Sequence, residues 1–347
     1  MLQNTNNSDN LPLVSFVIAT YNSAEFIEPA LRSILRQDYP KDKIEIIFSD
    51  GGSTDNTLDI AKKYPVLVIK NELILGDPGY AFGCEKAKGD YVVFIGHDNR
   101  LVQDNWIRLM LKPFQRVDIR GAFPRLENRK NDSWLTKYVN RFTDPFNHFV
   151  YGYANNPLTF HKTFKILEKG DGWKVFDFNL KNHPILAFDQ GFMLKKAGFE
   201  RDKSTWFCDI LPILDMIKKG EKFAYIEKAS DYHETLNRGL GQFIRKHRWA
   251  VANGLSSKKI YGKEQKQFGF KARRRHLSLA RKIRTLVYPF YGISFTLPCF
   301  RALYMLAKDR EKEWIYHPFI VFISALIIWQ EAFKIFILRH SPVWNRY

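Results

Sequence analysis

Two short polar segments in the first half of the chain carry residue types that could bind a ligand. Thr20-Tyr21-Asn22 ends one apolar run, and Asp50-Gly51-Gly52 ends the next. The Asp50 carboxylate could accept hydrogen bonds from a base N–H or a ribose hydroxyl, and the glycines would let a ligand approach the backbone closely. The same residues would also make an ordinary tight turn with a helix N-cap. Taken alone, the Asp50 segment favours the turn.

A third polar segment, Gly96-His97-Asp98-Asn99, follows the apolar run YVVFI. A carboxylate at a strand tip beside a bound diphosphate is a natural ligand for Mg²⁺ or Mn²⁺, because these hard ions prefer oxygen donors. The alternative for Asp98 is a solvated turn aspartate. We expect His97 to lie beside the residues that bind the metal ion and not to bind the ion itself.

The elements that must position these segments alternate between buried strands and helices. We predict that Ser23–Gln37 is a helix from its apolar spacing. The predicted strands are Leu13–Ala19, Ile44–Ser49, Val66–Lys70 and Tyr91–Ile95. Such alternation indicates an α/β fold with an open, mostly parallel sheet, and ligands bind beyond the carboxyl ends of its strands. We expect loops and short strands over residues 120–185 and a short edge strand at Phe223–Ile226.

Composition and charge exclude several classes of protein. The 347 residues are 45% hydrophobic, which excludes wholesale disorder, and the three distant cysteines exclude a disulfide scaffold and a CxxC zinc site. No basic segment followed by an apolar one opens the chain, so no signal peptide is predicted. Residues 241–347 carry 21 Lys/Arg against five Asp/Glu and hold most of the net charge of +18. This asymmetry predicts an anionic partner, either nucleic acid or anionic lipid.

Two apolar stretches near the C-terminus favour lipid over nucleic acid. Leu286–Leu306 and Trp314–Leu338 are flanked by Trp, Tyr, Lys and Arg, as is common near headgroups. Neither is a clean span, since the first contains prolines and the second charges. They are either buried core helices or membrane-embedded, re-entrant or in-plane helices. The adjacent basic segment Lys258–Arg284 favours anionic lipid, and no motif that reads nucleic acid is present.

The ordered set of N-terminal motifs resembles family 2 inverting glycosyltransferases with the GT-A fold. The matching runs are PLVSFVIATYNSA, SILRQDYP, IEIIFSDGGSTDNT and KGDYVVFIGHDN. The resemblance implies a UDP- or GDP-linked sugar donor and a divalent metal. The nucleotide-sugar would contact Thr20, Tyr21, Asn22, Asp50, Gly51, Gly52 and His97. The family's Asp-x-Asp motif falls on Gly96-His97-Asp98, so Gly96 replaces the first acid while Asp98 keeps the metal-ligand position.

The resemblance continues with more drift through the second half. It implies that Asp189 and Gln190 contact the acceptor, that Asp209 is the catalytic base beside Cys208, and that His233 is a second metal ligand. Arg248-Trp249 would lie near the diphosphate. Each has a plainer alternative: Asp189 is a turn residue, Asp209 a helix N-cap, His233 a packed loop histidine, and Arg248-Trp249 part of an amphipathic helix face.

These observations predict a domain plan and three candidate functions. Residues 1–10 would be disordered, 11–240 a GT-A catalytic domain, 241–285 a basic amphipathic segment and 286–347 hydrophobic membrane-associated helices. The first candidate is an inverting glycosyltransferase at the cytoplasmic face of the cell membrane, which glycosylates a lipid-linked saccharide and is similar to ExoA-like glycan-assembly enzymes. The others are a polyisoprenyl-phosphate glycosyltransferase and a non-catalytic membrane scaffold, the latter suggested by Gly96 and Cys208 where acids are usual.

Overall fold

The computed structural model describes residues 11–74, 76–185, 189–200, 211–235, 239–261 and 277–339, without the side chains of 253 and 256–261. Residues 1–10 and the predicted base Asp209 lie outside these ranges. The described residues form two compact units. The first lies within residues 1–127, 164–178 and 187–233, and the second within residues 128–163, 179–186 and 234–347.

The first unit is built on a mixed sheet, as the predicted fold class requires. Its strands are β1 (Val14–Thr20), β2 (Ile44–Asp50), β3 (Leu67–Lys70), β4 (Tyr91–Ile95), β5 (Asn99–Leu101), β6 (Ile119–Glu127), β7 (Ile166–Gly170), β8 (Trp173–Phe176), β9 (Gln190–Lys195) and β10 (Lys222–His233). The order is β3-β2-β1-β4-β9-β6-β10-β8-β7, and β5 pairs with β10. The block β3-β2-β1-β4 is wholly parallel, so the polar segments after β1, β2 and β4 leave the same edge.

Helices cover this sheet because their apolar positions recur at helical spacing. They are α1 (Ala24–Leu35), α2 (Thr57–Ala61), α3 (Gly76–Lys86), α4 (Trp106–Leu111) and α7 (Leu211–Lys218). Helix α1 buries Ile27, Leu31 and Ile34 in the core that contains Phe16 of β1. Helix α3 lies so close to β1 that a Cβ on Gly83 would come within 2.1 Å of Val17. Strand β1 therefore packs against α1 on the face of Phe16 and against α3 on the opposite face, that of Val17.

The second unit is helical and corrects the predicted domain plan. Its helices are α5 (Trp134–Phe142), α6 (Pro145–Tyr151), α8 (Leu240–Tyr261), α9 (Leu279–Ile293), α10 (Thr296–Asp309) and α11 (His317–Ala332). Residues 128–163 do not belong to a continuous 11–240 domain, and two helices replace the loops predicted there. The physical reason is packing, since Tyr138 and Phe142 of α5 share a core with Trp314 and Ile320.

One helical stretch in the described ranges, Lys312–Ile337, is long and apolar enough to cross a membrane. Helices α9 and α10 would provide a second only if this pair, bent by 103°, formed one broken span. The apolar window of Lys312–Ile337 has a mean hydropathy of 1.9 and is 33% buried. Core helices of soluble proteins share these properties, so the two interpretations of the C-terminal stretches stay open at this level.

Candidate active site

The first strand-end loops meet because β1 and β2 are parallel neighbours in register. Thr20 pairs with Asp50 across the two strands, and both side chains are buried. The Thr20 hydroxyl donates to Asp50 Oδ1 at 3.1 Å, and the Gly51 N–H donates to the Thr20 carbonyl at 2.9 Å. The structure therefore brings together the two segments that the sequence placed at neighbouring strand ends.

The Asp50 carboxylate is occupied by its own loop. It accepts hydrogen bonds from the Gly52 and Ser53 N–H groups, each at 2.9 Å, and from the Ser53 hydroxyl at 2.5 Å. Together with Thr20 this makes four donors, and a carboxylate has about four acceptor positions. Asp50 thus fixes the shape of the loop, and its direct contact with a nucleoside stays a prediction.

Asn22 ties the β1 loop to the β2 loop. Its N–H donates to the Ser53 hydroxyl at 2.9 Å, and its Oδ1 accepts from the Thr54 N–H at 2.8 Å and the Asp55 N–H at 3.3 Å. Its φ of +47° lies in the left-handed region, which asparagine adopts more readily than most residues. Asn22, like Asp50, is a structural member of a preorganised loop pair.

The second candidate cluster joins Asp98 to His233. Strand β5 pairs antiparallel with β10, which places His233 directly opposite Asn99. His233 Nε2 then lies 3.6 Å from Asp98 Oδ2, and both side chains are largely buried, with exposed fractions of 12% and 19%. The His97 ring contacts Phe26 of α1, with ring centroids 6.2 Å apart. Strand pairing thus explains how two residues distant in sequence become neighbours.

These two side chains suit one divalent ion. Donor atoms bound at about 2.1 Å to the same ion lie roughly 3 to 4 Å apart, and the Asp98–His233 separation falls in this range. In the described ranges, no group of three His, Cys, Asp or Glu residues could hold a metal alone. An ion between Asp98 and His233 would therefore need further ligands, and diphosphate oxygens are the natural source.

Gly96 stands where the family pattern has an acid, and a side chain at this position would displace its neighbours. A Cβ on Gly96 would lie 2.8 Å from both Asn99 Oδ1 and Asp98 Oδ1. Asn99 is only 1% exposed, and its Nδ2 makes no hydrogen bond among the described residues. Asn99 and Asp98 thus fill the space that the missing acid would need.

The acceptor candidates lie beside this loop. The Gly96 N–H donates to the Asp189 carbonyl at 2.6 Å, and Gln190 pairs with Ile95 at the end of β4. The Asp189 side chain is exposed and Gln190 is half-buried. Asp189 and Gln190 thus lie next to the loop that carries Asp98. Their contact with the acceptor stays a prediction.

One buried phenol, Tyr80, and one buried acid, Asp231, were missed by the sequence analysis. Burial raises the pKa of Tyr80 well above its ordinary value, and the negative charges of Asp189, Asp98 and Asp77 raise it further. Burial likewise raises the pKa of Asp231, which faces the same side of β10 as His233, well above the usual range. No sequence signal marked Asp231, because the predicted strand ended at Ile226 and β10 continues to His233.

Arg248 and Trp249 belong to the second unit, on α8. Arg248 Nε lies 3.3 Å from Glu331 Oε1, and its terminal nitrogen donates to Gln330 Oε1 at 3.3 Å. Glu331 also pairs with Lys334 at 2.8 Å. Arg248 is therefore part of an ion-pair network within the helical unit, while Asp209 and Cys208 lie outside the described residues.

Comparison with known proteins finds a family similarity in the first half of the chain. Residues 15–178 match the family described as glycosyl transferase family 2. This part, just under half of the chain, is similar to that family. The match includes the loops at Thr20, Asp50 and Asp98, so the predicted resemblance is confirmed, whereas the finer likeness to ExoA-like enzymes stays a prediction.

Several curated relatives of this chain are glycosyltransferases by name. Glycosyltransferase AglE of Haloferax volcanii is 34% identical over 26% of this chain and 32% of its own length. Abequosyltransferase RfbV of Salmonella typhimurium is 36% identical over 31% and 34%, respectively. UDP-Glc:alpha-D-GlcNAc-diphosphoundecaprenol beta-1,3-glucosyltransferase WfaP of Escherichia coli is 38% identical over 28% and 38%. This chain thus spans less than two fifths of each relative's length.

Solved glycosyltransferases also align along most of the chain. Mannosyltransferase PcManGT from Pyrobaculum calidifontis, in complex with GDP-Man and Mn²⁺, is 15% identical, and the alignment covers 94% of this chain and 88% of that chain with a TM-score of 0.48. TarS residues 1–349 from S. aureus align with 14% identity, 93% and 91% coverage and a TM-score of 0.43.

Proposed function

We propose that this protein is an inverting glycosyltransferase that moves a sugar from a UDP- or GDP-linked donor to a lipid-linked saccharide in cell-surface glycan synthesis. One observation carries the proposal. Three neighbouring parallel strands, β1, β2 and β4, end in the loops at Thr20, Asp50 and Asp98, and all three lie in the part that matches glycosyl transferase family 2. This is the sheet edge where α/β folds bind ligands.

The donor is proposed to bind across these loops. Thr20, Tyr21, Asn22, Asp50, Gly51 and Gly52 would line the nucleoside pocket, with His97 at its edge. The hydrogen bonds inside the Thr20–Asp50 loop pair preorganise this surface, so little conformational entropy is lost when the nucleotide binds. The predicted contact of Arg248 and Trp249 with the diphosphate would compete with the ion pair between Arg248 and Glu331.

The leaving group is proposed to be stabilised by a divalent cation. Asp98 and His233 would hold Mg²⁺ or Mn²⁺, and the ion would neutralise charge that develops on the diphosphate as the glycosidic bond breaks. Asp98 supplies a charged oxygen and His233 a nitrogen. Gly96 contributes by leaving space for both Asp98 and Asn99.

The acceptor side requires a base and no covalent nucleophile. Inversion at the anomeric carbon follows from one in-line attack by an acceptor hydroxyl, whose proton must be taken by a positioned group. Asp209 is proposed as that base, and Asp189 and Gln190 as acceptor contacts. WfaP is named for a diphosphoundecaprenol-linked substrate, which supports a lipid-linked acceptor and hence a location at the cytoplasmic face of the membrane.

The first test is donor binding. Purified full-length protein should show a raised Tm with a UDP- or GDP-sugar, because a ligand that binds only the folded state stabilises it by mass action, and Mn²⁺ should increase the shift. UMP and GMP, which lack the diphosphate, are the matched controls. A screen in which no nucleotide-sugar shifts the Tm would contradict the proposal and favour a non-catalytic scaffold.

The second test separates catalysis from binding. Asp209→Asn keeps the size of the side chain and its capping ability but removes the proton acceptor, so sugar transfer should fall about 10²–10⁴-fold. The donor-induced Tm shift should survive, since the base contacts the acceptor. Transfer within a few-fold of wild type would reduce Asp209 to a helix cap, and Asp189 would be tested next.

A further inference from the structure

We infer that the protein docks in the plane of an anionic phospholipid bilayer through one apolar surface on α9 and α10, while α11 stays in the protein core. The inference rests on the membrane partner proposed above and states how that partner is engaged. The α9–α10 surface is defined by Ile283, Leu286, Phe290, Leu297, Phe300 and Leu303.

Helix α9 has the pattern of a helix that lies on a membrane. Ile283, Leu286 and Phe290 are exposed by 51%, 58% and 61%, and spacings of three and four residues place them on one side. Lys282 and Arg284 flank this side by helical geometry. An apolar face bordered by Lys and Arg binds anionic lipid surfaces through combined burial and charge attraction.

The apolar face of α9 is fixed in place by the opposite face. Arg281 is 7% exposed, donates to the His183 carbonyl and to Asn182 Oδ1 at 3.0 Å each, and lies over the Tyr151 ring at 4.6 Å. A Cβ on Gly292 would come within 2.5 Å of Ala325, so α9 packs directly on α11. The helix cannot rotate to hide its apolar side.

An exposed charge near the start of α9 has no carboxylate partner among the described residues. Arg284 bonds only to an uncharged oxygen, the Val150 carbonyl at 3.4 Å. An exposed guanidinium group of this kind matches a surface of phosphate headgroups. This complementarity selects an anionic bilayer over a neutral apolar partner.

Helix α10 extends the same surface around a bend. Leu297, Phe300 and Leu303 are exposed by 55%, 71% and 64%. The two helices meet at 103° at Phe295, whose φ of +53° is unusual for a non-glycine residue and whose side chain is 43% exposed. Two arms with exposed apolar residues suit a shallow in-plane position better than a straight crossing.

Helix α11 has the contacts of a core helix. His317 Nδ1 lies 2.7 Å from the Tyr138 hydroxyl, Ser324 bonds to His247 at 2.8 Å, and Glu331 pairs with Arg248. Polar partners therefore recur along the whole helix. Its neighbour α8 exposes charged residues, which a crossing α11 would carry into hydrocarbon at high cost.

Vesicle flotation of the full chain tests the surface. Wild-type protein should bind vesicles that contain phosphatidylglycerol and should bind phosphatidylcholine vesicles weakly. Leu286→Glu/Phe300→Glu should lower the bound-to-free ratio at least tenfold with an unchanged circular dichroism spectrum. The control is Val117→Glu, which charges an apolar residue that is 92% exposed in the first unit. Equal binding of both variants would overturn the inference.

A depth measurement then separates docking from crossing. A fluorescent label at Leu286→Cys, in a chain with the native cysteines replaced, should be quenched most by lipids labelled near the headgroups. A label at Leu326→Cys on α11 should be quenched little by lipids labelled at the acyl-chain ends. Strong quenching of that second label would mean that α11 crosses the bilayer. Donor binding by thermal shift is independent of both results, so the proposed activity and the docking mode fail separately.

Discussion

The two strand-end clusters of the first unit differ in how complete they are. The Thr20–Asp50 loop pair satisfies its carboxylate with four donors from its own loops. The Asp98–His233 pair leaves its two donor atoms 3.6 Å apart, and the amide nitrogen of neighbouring Asn99 has no partner among the described residues. We call the first the finished cluster, and we call the second the incomplete cluster because it is proposed to bind a divalent ion together with the diphosphate.

The largest expected effect is on catalysis at the incomplete cluster. Asp98→Asn removes the charged oxygen from the proposed metal pair, so sugar transfer should fall about a hundredfold or more, while the Tm of the free protein should change little. The matched control is Asp59→Asn, which neutralises an exposed carboxylate on α2. Full wild-type activity in EDTA would show that the cluster works without a divalent ion.

The finished cluster should respond in the opposite way. Asp50→Ala removes the charged acceptor of four hydrogen bonds and strands the buried Thr20 hydroxyl, so the free energy of unfolding should drop by about 2–4 kcal/mol. Urea denaturation of wild type and variant measures this drop. A stable Asp50→Ala protein with lost donor affinity would instead identify Asp50 as a direct nucleoside contact.

A smaller effect is expected at Gly96. Gly96→Ala places a Cβ 2.8 Å from the oxygens of Asn99 and Asp98, and overpacking of this kind costs about 1–3 kcal/mol. Gly96→Asp should be no better, although it restores the residue of the family pattern. If Gly96→Asp increased sugar transfer, the loop would have to be more adaptable than its packing indicates.

The smallest effect concerns the backbone of Asn22. Asn22→Ala loses an acceptor for two N–H groups and retains a φ of +47°, so it should cost about 1–2 kcal/mol. Asn22→Gly loses the same acceptor but relieves the backbone. The difference in Tm between the two variants isolates the backbone contribution, and no difference would mean that the side-chain hydrogen bonds account for the whole effect.

The finished cluster was predictable from the sequence, and the incomplete one only in part. Apolar runs that end in Thr20, Asp50 and Gly96 predicted three strands and their loops, since local pattern determines buried parallel strands. Strand β10 was cut short at Ile226 because residues 227–233, EKASDYH, lack an apolar alternation. Residues 227–233 are held in the sheet by long-range pairing with β5 and β6, which the local sequence does not reveal.

In the helical unit, local sequence patterns failed to predict two whole helices. Helices α5 and α6 were predicted as loops because they are short and rich in polar and aromatic residues. The stability of α5 comes from residues more than 150 positions away, since the Phe142 ring packs against Trp314 and the Tyr138 hydroxyl bonds to His317. Propensity is weak evidence when tertiary contacts of this kind decide the structure.

The pairing of His233 with Asn99 also sets the order in which the clusters can form on the ribosome. Thr20 and Asp50 can meet as soon as β2 has emerged, whereas Asp98 must wait for β10, the last strand of the sheet. A nascent chain that ended at residue 178, where the family match ends, would contain the donor loops and half of the proposed metal pair. Fragments cut at that boundary should therefore be unsuitable for building chimeric transferases, because the exchange would separate Asp98 from β10, the strand that carries His233.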